Sequence, residues 1–165
     1  EKITNQKPAA KNAAVVKIEE NKFSNGSVIV IDKIQDPGNL GTIIRTAYAF
    51  GINNIFIGEG TVDLYNPKVV SAMQGVQFQV NFRFGEILDY LLNSELQIIT
   101  TFLDEETEEK FDAKFNLVLG NEGNGIQKKV KELKHKNIKI DIKFESLNVA
   151  VASGIIIKDL TMGEL

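Results

Sequence analysis

Short runs of β-branched residues alternate with amphipathic stretches along this chain, and glycine, proline or asparagine stands at most of the joins. Asn25-Gly26 is a turn signal. Ser27 to Asp32 is an apolar run of the kind found in strands buried on both faces of a parallel sheet. Lys33 to Gly41 follows as a loop of turn residues. Thr42 to Phe50 then has helical propensity and stops at Gly51, a C-terminal cap. With the strand expected at Asn54 to Gly58, these make a βαβ unit.

Beyond it, Asn66-Pro67 opens a short helix running to Met73. Val76 to Phe82 alternates, with Val76, Phe78, Val80 and Phe82 on one face, and predicts a strand. The pattern continues with a helix over Glu86 to Asn93, a strand over Gln97 to Thr101 and a strand at Leu117 to Leu119. A lysine-rich helix over residues 126 to 134 and a last strand over Ile138 to Ile142 complete the series. Strands alternating with helices predict an α/β domain with a mainly parallel sheet.

Two regions escape the pattern. Residues 1 to 14 read as a linker or tail, polar and without a period, so the folded domain is expected over 15 to 165. Ala13 to Ile18 could add a short edge strand. Glu145 to Ile157 begins with capping residues, Ser146 and Asn148, and then runs uncharged through small and β-branched residues. Periodicity leaves that stretch open between a buried strand and a helix, since Gly154 inside a helix costs about 1 kcal/mol relative to alanine.

Composition narrows the function. The 165 residues are 43% hydrophobic and 25% charged, which is ordinary for a globular domain. No apolar run reaches the roughly 18 residues of a membrane span, and no signal peptide is visible, so a cytoplasmic protein without membrane contact is expected. The chain has no cysteine and one histidine, His135, which argues against disulfides, thiol chemistry and a histidine-built metal site; none is expected. The net charge of −3 does not suggest a general nucleic-acid binder. Its distribution is uneven, with acids at 104–106 and 108–109 and lysines from Lys128 to Lys143. A solvated face is the commoner meaning of such a lysine run.

Three stretches carry candidate chemistry, each directly after an expected strand, where open α/β sheets bind ligands. Asn39 and Arg45 lie six residues apart across a loop-to-helix junction, and an arginine there can offer its planar fork to a phosphate or carboxylate. Gly120-Asn121-Glu122-Gly123-Asn124-Gly125 permits left-handed backbone and close approach of a flat ligand. It is neither a Walker loop nor the dinucleotide fingerprint, and Glu122 would sit awkwardly beside phosphates. Ser146 with Asn148 is explained by helix capping alone.

Taken together and in this order, the three stretches resemble the SpoU family of RNA ribose 2′-O-methyltransferases, of the SPOUT class. The resemblance covers roughly residues 13 to 157. It rests on Asp36-Pro37-Gly38-Asn39-Leu40-Gly41-Thr42-Ile43-Ile44-Arg45-Thr46-Ala47, on Leu119-Gly120-Asn121-Glu122-Gly123, and on Glu145-Ser146-Leu147-Asn148-Val149-Ala150-Val151-Ala152. It implies an α/β fold with helices on both faces of the sheet and a C-terminal deep trefoil knot, an exception to the rule that chains do not thread themselves. The 145–157 stretch would then be the final helix, its small residues allowing close passage of backbones.

The resemblance further implies S-adenosyl-L-methionine as cofactor, held by Gly120, Asn121, Ile138, Ile140 and Leu147. It implies Arg45, Asn39, Glu122, Ser146 and Asn148 as the catalytic set, and a homodimer whose sites are completed across the interface. Arg45 would activate or orient the hydroxyl, or bind a substrate phosphate. A guanidinium with a pKa above about 12 is a poor base at neutral pH. Asn39 would hold Arg45 or the ribose, and Glu122 would position Arg45 or Asn39. The chain departs from the family pattern at Ile138-Lys139-Ile140, where relatives commonly have Ile-Pro-Met, and at Met73, where a serine is frequent.

The linker-like start favours ribosomal over transfer RNA as substrate, and it resembles the linker that follows a separate RNA-binding domain in relatives, a domain this chain does not contain. Three alternatives stand beside this reading. They are a transfer-RNA ribose methyltransferase, a knotted RNA-binding module without catalysis, and an unrelated nucleotide-binding α/β protein.

Overall fold

The structure, a computed structural model, describes residues 22–107, 110–143 and 145–163. The expected tail and the edge strand at Ala13 to Ile18 lie outside the described residues. Within these residues six strands form one sheet: β1 (Val28–Ile31), β2 (Asn54–Gly58), β3 (Asn81–Gly85), β4 (Gln97–Thr100), β5 (Phe115–Leu119) and β6 (His135–Asn137). Their order is β3-β2-β1-β5-β4-β6, and every pairing is parallel. β1 and β5 occupy the middle, and all their residues are buried. That is why β1 reads as an unbroken apolar run and β5 as one interrupted only by Asn116, whose amide is paired with Tyr90 and Ser94.

Among the described residues four helices cover the sheet: α1 (Pro37–Ala49), α2 (Pro67–Met73), α3 (Ile87–Leu92) and α4 (Val149–Met162). One face carries Ile29, Ile31, Ile55, Ile57, Leu117 and Leu119 against α1, α2 and α4. The other carries Val28, Val30, Phe56 and Val118 against α3 and against Ile126 and Val130. The chain after β1 therefore leaves toward one face, and the chain after β5 toward the other. Past the carboxyl ends of β4, β5 and β6, the end of an open α/β sheet where ligands bind, Thr101, Gly120 and Ile138 border a crevice.

Local chemistry explains the helix boundaries. Asp36 caps α1, its side chain accepting from the Asn39 N–H at 2.7 Å, and Pro37 fills the first turn, where a missing N–H costs nothing. Part of the 33–41 stretch expected as loop is therefore helix: the turn residues Asp, Pro and Gly serve as its start. Gly41 sits where α1 meets α2. A Cβ on it would stand 2.5 Å from the Ala72 Cβ and 2.7 Å from the Val69 carbonyl oxygen. The 145–157 stretch is helical from Val149 on, as the family resemblance implies, with Asn148 as the cap of α4.

Three expectations are corrected. Val76 to Phe82 is not a strand. Gln74 and Gly75 take positive φ, Val76–Phe78 forms a single 3-10 turn with Phe78 exposed, and the strand begins at Asn81 to pair with β2. Alternation in a short window did not fix the register. Residues 126–134 form only a 3-10 turn, Lys128–Glu132, with Val130 its one buried side chain. A single apolar anchor and crowded like charges give a longer helix little to hold it. The last strand is His135–Asn137 instead of Ile138 to Ile142. Asn137 ends it by turning its amide inward, donating to the Phe102 and Glu105 carbonyls and accepting from the Phe102 N–H. The chain past Ile138, whose N–H still donates to the Thr100 carbonyl, is then free to line the crevice.

Candidate active site

Each of the three chemistry-bearing stretches reaches the same crevice from a different element. The glycine-rich loop leaves β5 and doubles back at once. Asn121 N–H donates to the Gly125 carbonyl at 3.1 Å, and Gly125 N–H returns to the Asn121 carbonyl at 2.9 Å. The Asn121 side chain braces the loop from inside, accepting from the N–H groups of Gly123 and Asn124 at 2.9 and 3.0 Å. Its Nδ2 donates to the Lys33 carbonyl at 2.8 Å. The fold-back is so tight that a Cβ on Gly120 would stand 2.3 Å from both the Gly125 carbonyl carbon and the Ile126 nitrogen.

Across the crevice, Asn39 Nδ2 donates to Glu122 Oε1 at 3.0 Å, and Asn148 Nδ2 donates to Asn39 Oδ1 at 3.0 Å. Asn148 Oδ1 accepts in turn from the Ala150 and Val151 N–H groups at the start of α4. A carboxylate, two amides and two helix N-termini thus form one chain of hydrogen bonds, linking residues 83 and 109 positions apart. The bond to the carboxylate is charge-assisted, but Glu122 is exposed and solvent screens it. Both ends of the Asn39 amide are fixed.

Arg45 lies elsewhere on α1. It is exposed, and roughly 9 Å along the helix axis separates it from Asn39. Among the described residues it makes no hydrogen bond or ion pair. Of the two positions open for Glu122 in the sequence, its hydrogen bond goes to Asn39 and not to Arg45.

Beside this relay is a cavity of about 220 Å³, lined chiefly by Gly120, Ile126, Ile138, Ile140, Leu147 and Ile156. Asn121, Glu122 and Ser146 also border it. All five residues expected to hold a cofactor therefore share one cavity. Sequence reasoning missed Ile126, whose only signal was being the first apolar residue after the glycine loop. It also missed Leu103 and Thr101, which line the cavity too. A larger hollow, about 730 Å³, lies between the segment before β1 and α3, away from these residues. Arg83 stands over the Phe23 and Tyr90 rings there, and burial pushes the Tyr90 phenol up to about 12.

The acidic loop explains the lysine run. Lys131 pairs with Asp104 at 2.7 Å, Lys139 with Glu106 at 2.8 Å, and His135 with Glu105 at 2.8 Å. The hydrogen bond from His135, aided by Lys131, holds the Glu105 carboxyl below its ordinary value. Lys139 also donates its backbone N–H to Thr107 Oγ1 at 3.0 Å. The departure from proline at 139 supplies an N–H that tethers the acidic loop to the cavity wall. Exposed pairs of this kind contribute little stability individually.

A model of the SpoU rRNA methylase family matches residues 26–158. The chain belongs to the SpoU rRNA methylase family. Over 167 residues it is 34% identical to the 23S rRNA (guanosine(2553)-2′-O)-methyltransferase RlmP of Bacillus subtilis, covering 96% of this chain and 67% of RlmP. It is 33% identical to the mitochondrial rRNA methyltransferase 1 of Dictyostelium discoideum, over 85% of this chain and 30% of that protein. The AdoMet-bound rRNA methyltransferase from Sinorhizobium meliloti superimposes with a TM-score of 0.78 at 27% identity, over 90% of this chain and 59% of that one. The chain thus spans from under a third to two thirds of the length of these relatives. Among the described residues no helix of this SpoU domain is long and apolar enough to cross a membrane.

Proposed function

We propose that this SpoU domain transfers the methyl group of S-adenosyl-L-methionine to a ribose 2′-hydroxyl of ribosomal RNA, in the cytoplasm. The observation that carries this reading is the Glu122–Asn39–Asn148 relay at the lip of the apolar cavity beside Gly120. The cavity suits the adenosine part of the cofactor. It offers aliphatic walls for a flat ring, and at Gly120 a main chain held close against Gly125 and Ile126. We take the late helix to be threaded, as the knotted topology of the SPOUT class requires.

When bound, the cofactor supplies a sulfonium-activated methyl carbon, and the protein supplies alignment. Glu122 and Asn148 lock the Asn39 amide in one orientation, so that it presents a fixed surface to the ribose without reorganising. Alignment of this kind contributes much of the acceleration of a bimolecular transfer. Arg45, unengaged within the described residues, is available to the substrate. It polarises the hydroxyl or holds a phosphate, and an RNA phosphate is the better proton acceptor.

The active unit is a homodimer in this reading. Val151, Ile155 and Met162 recur at helical spacing on α4 and are 54%, 38% and 62% exposed. Tyr48 of α1, three residues past Arg45, is exposed as well, and Thr46 of α1 faces Gly154 of α4. An apolar face on that helix pair is the surface a second copy would cover, next to Arg45. Ile155→Glu should therefore shift the sedimentation coefficient to that of a monomer and abolish methyl transfer, with the monomer still folded by circular dichroism. A dimeric Ile155→Glu variant would remove this element.

Ribosomal RNA is preferred over transfer RNA on the strength of the RlmP relationship. The test is a transcript-wide map of 2′-O-methylated nucleotides in cells with and without the protein. One ribosomal site lost on deletion and restored by the wild-type gene is the expected result. Loss of a transfer-RNA site instead would move the substrate assignment, and loss of none would favour the non-catalytic RNA-binding module.

A further inference from the structure

Among the described residues Asp32 is the one charged residue that is fully buried, and the proposed chemistry leaves it without a task. It directly follows β1, is 1% exposed, and continues the ladder by donating its N–H to the Leu119 carbonyl at 2.8 Å. Its Oδ2 accepts from the Gln127 N–H at 2.6 Å, the first residue past Ile126 and the exit of the glycine-rich loop. Its Oδ1 is buried with no partner. The neighbouring Lys33 takes a left-handed φ of 58°, and that turn aims its carbonyl at Asn121 Nδ2, 2.8 Å away at the loop's entrance. Two consecutive residues after β1 thus hold both ends of the loop that shapes the cavity. Four residues on, Asp36 caps the helix that carries Asn39.

A fold needing only a filled core would place an apolar residue here, because a buried carboxylate oxygen without a partner is costly. Burial accordingly pushes the Asp32 carboxyl up, opposed by the Gln127 N–H and the Lys33 charge, while Glu86 adds to the rise. A destabilising group retained at the centre of a site is expected where it serves geometry.

We propose that Asp32 is a positioning residue for methyl-donor binding, its carboxylate fixing the exit of the glycine-rich loop at Gln127 while the Lys33 carbonyl fixes its entrance at Asn121. This inference rests on the S-adenosyl-L-methionine reading of the cavity. With the exit released, Gly125 and Ile126 would drift from Gly120, and the cavity wall that the three residues form would lose its shape.

The test is calorimetric titration of S-adenosyl-L-methionine into wild type, Asp32→Ala and Asp32→Asn, with melting temperatures taken without ligand. The expected result is a Kd raised roughly tenfold in Asp32→Ala, the equivalent of one good hydrogen bond. Its melting temperature without ligand should be unchanged or higher. Asp32→Asn, whose amide oxygen still accepts from Gln127, should return to within about threefold of wild type. A wild-type Kd in Asp32→Ala overturns the proposal, as does an Asp32→Asn variant no better than Asp32→Ala with both melting lower. Amide exchange in the wild type gives a readout independent of any variant's folding. The Gln127 N–H should be protected like a strand amide, and free exchange there also overturns the proposal. Failure of the wild type itself to bind the donor would instead remove the reading on which the inference stands.

Discussion

Arg45→Ala should lower kcat for RNA methylation by roughly 10²–10³-fold, the loss typical of removing one preorganised charged donor from a transition state. Its affinity for S-adenosyl-L-methionine should match that of the wild type. Arg45 is exposed, contributes nothing to the core and makes no hydrogen bond or ion pair among the described residues, so folding has little to lose. The same experiment separates the two roles considered for the guanidinium. If Arg45 polarises the hydroxyl, kcat falls and KM for RNA holds. If it binds a phosphate in the ground state, KM rises and kcat holds. Arg45→Lys should recover little under the first role, because an ammonium lacks the planar fork, and more under the second. Unaltered kcat and KM in Arg45→Ala would remove this residue from the mechanism.

Gly120→Ala should abolish measurable cofactor binding at millimolar concentration. The added Cβ would meet main-chain atoms of Gly125 and Ile126 at 2.3 Å, and backbone cannot swing aside as a long side chain can. Either the loop moves and the cavity loses its floor, or β5 shifts at the centre of the sheet. Overpacking of this kind typically costs 1–3 kcal/mol, so a lowered melting temperature should accompany the lost affinity. Gly123→Ala is the internal control. There the nearest atom to a new Cβ is Asn121 Oδ1 at 3.5 Å, an ordinary contact, and the binding constant should stay within about threefold of wild type. Equal effects at the two glycines would mean that loop flexibility, and not the contact at Gly120, sets affinity.

The central strands and the helices with strong caps were legible because burial on both faces writes an unbroken apolar run and a cap writes a specific residue. Val28–Ile31, Asn54–Gly58 and Pro67–Met73 are the clear cases. The misread segments are those whose shape is set by distant partners. Val76 to Phe82 alternates correctly for a strand, yet the register of β2 selects Asn81–Gly85. His135–Asn137 is a strand because β4 and the Asn137 side chain make it one, although Ile138 to Ile142 has the stronger β propensity.

The site shows the same division. The motifs identified Asn39, Glu122 and Asn148 as a set, but nothing local could say that the three share hydrogen bonds. Their contacts span 83 and 109 residues. Asp32 left one trace, a charge closing an apolar run. The reading of the lysine run as a solvated face was half right: Lys131 and Lys139 are paired by the acidic loop, while Lys128, Lys129 and Lys134 are exposed.

The central claim is that the cavity beside Gly120 delivers a methyl group to a ribose oxygen. It is tested most directly by incubating the protein with ribosomal RNA and S-adenosyl-L-methionine labelled on the methyl, then digesting the RNA with alkali. A 2′-O-methyl group blocks alkaline cleavage at its own phosphodiester, so the label should appear in alkali-resistant dinucleotides. Label recovered in mononucleotides would place the methyl on a base, and no label above that of a reaction without the protein would deny transfer altogether. Either result would contradict the account.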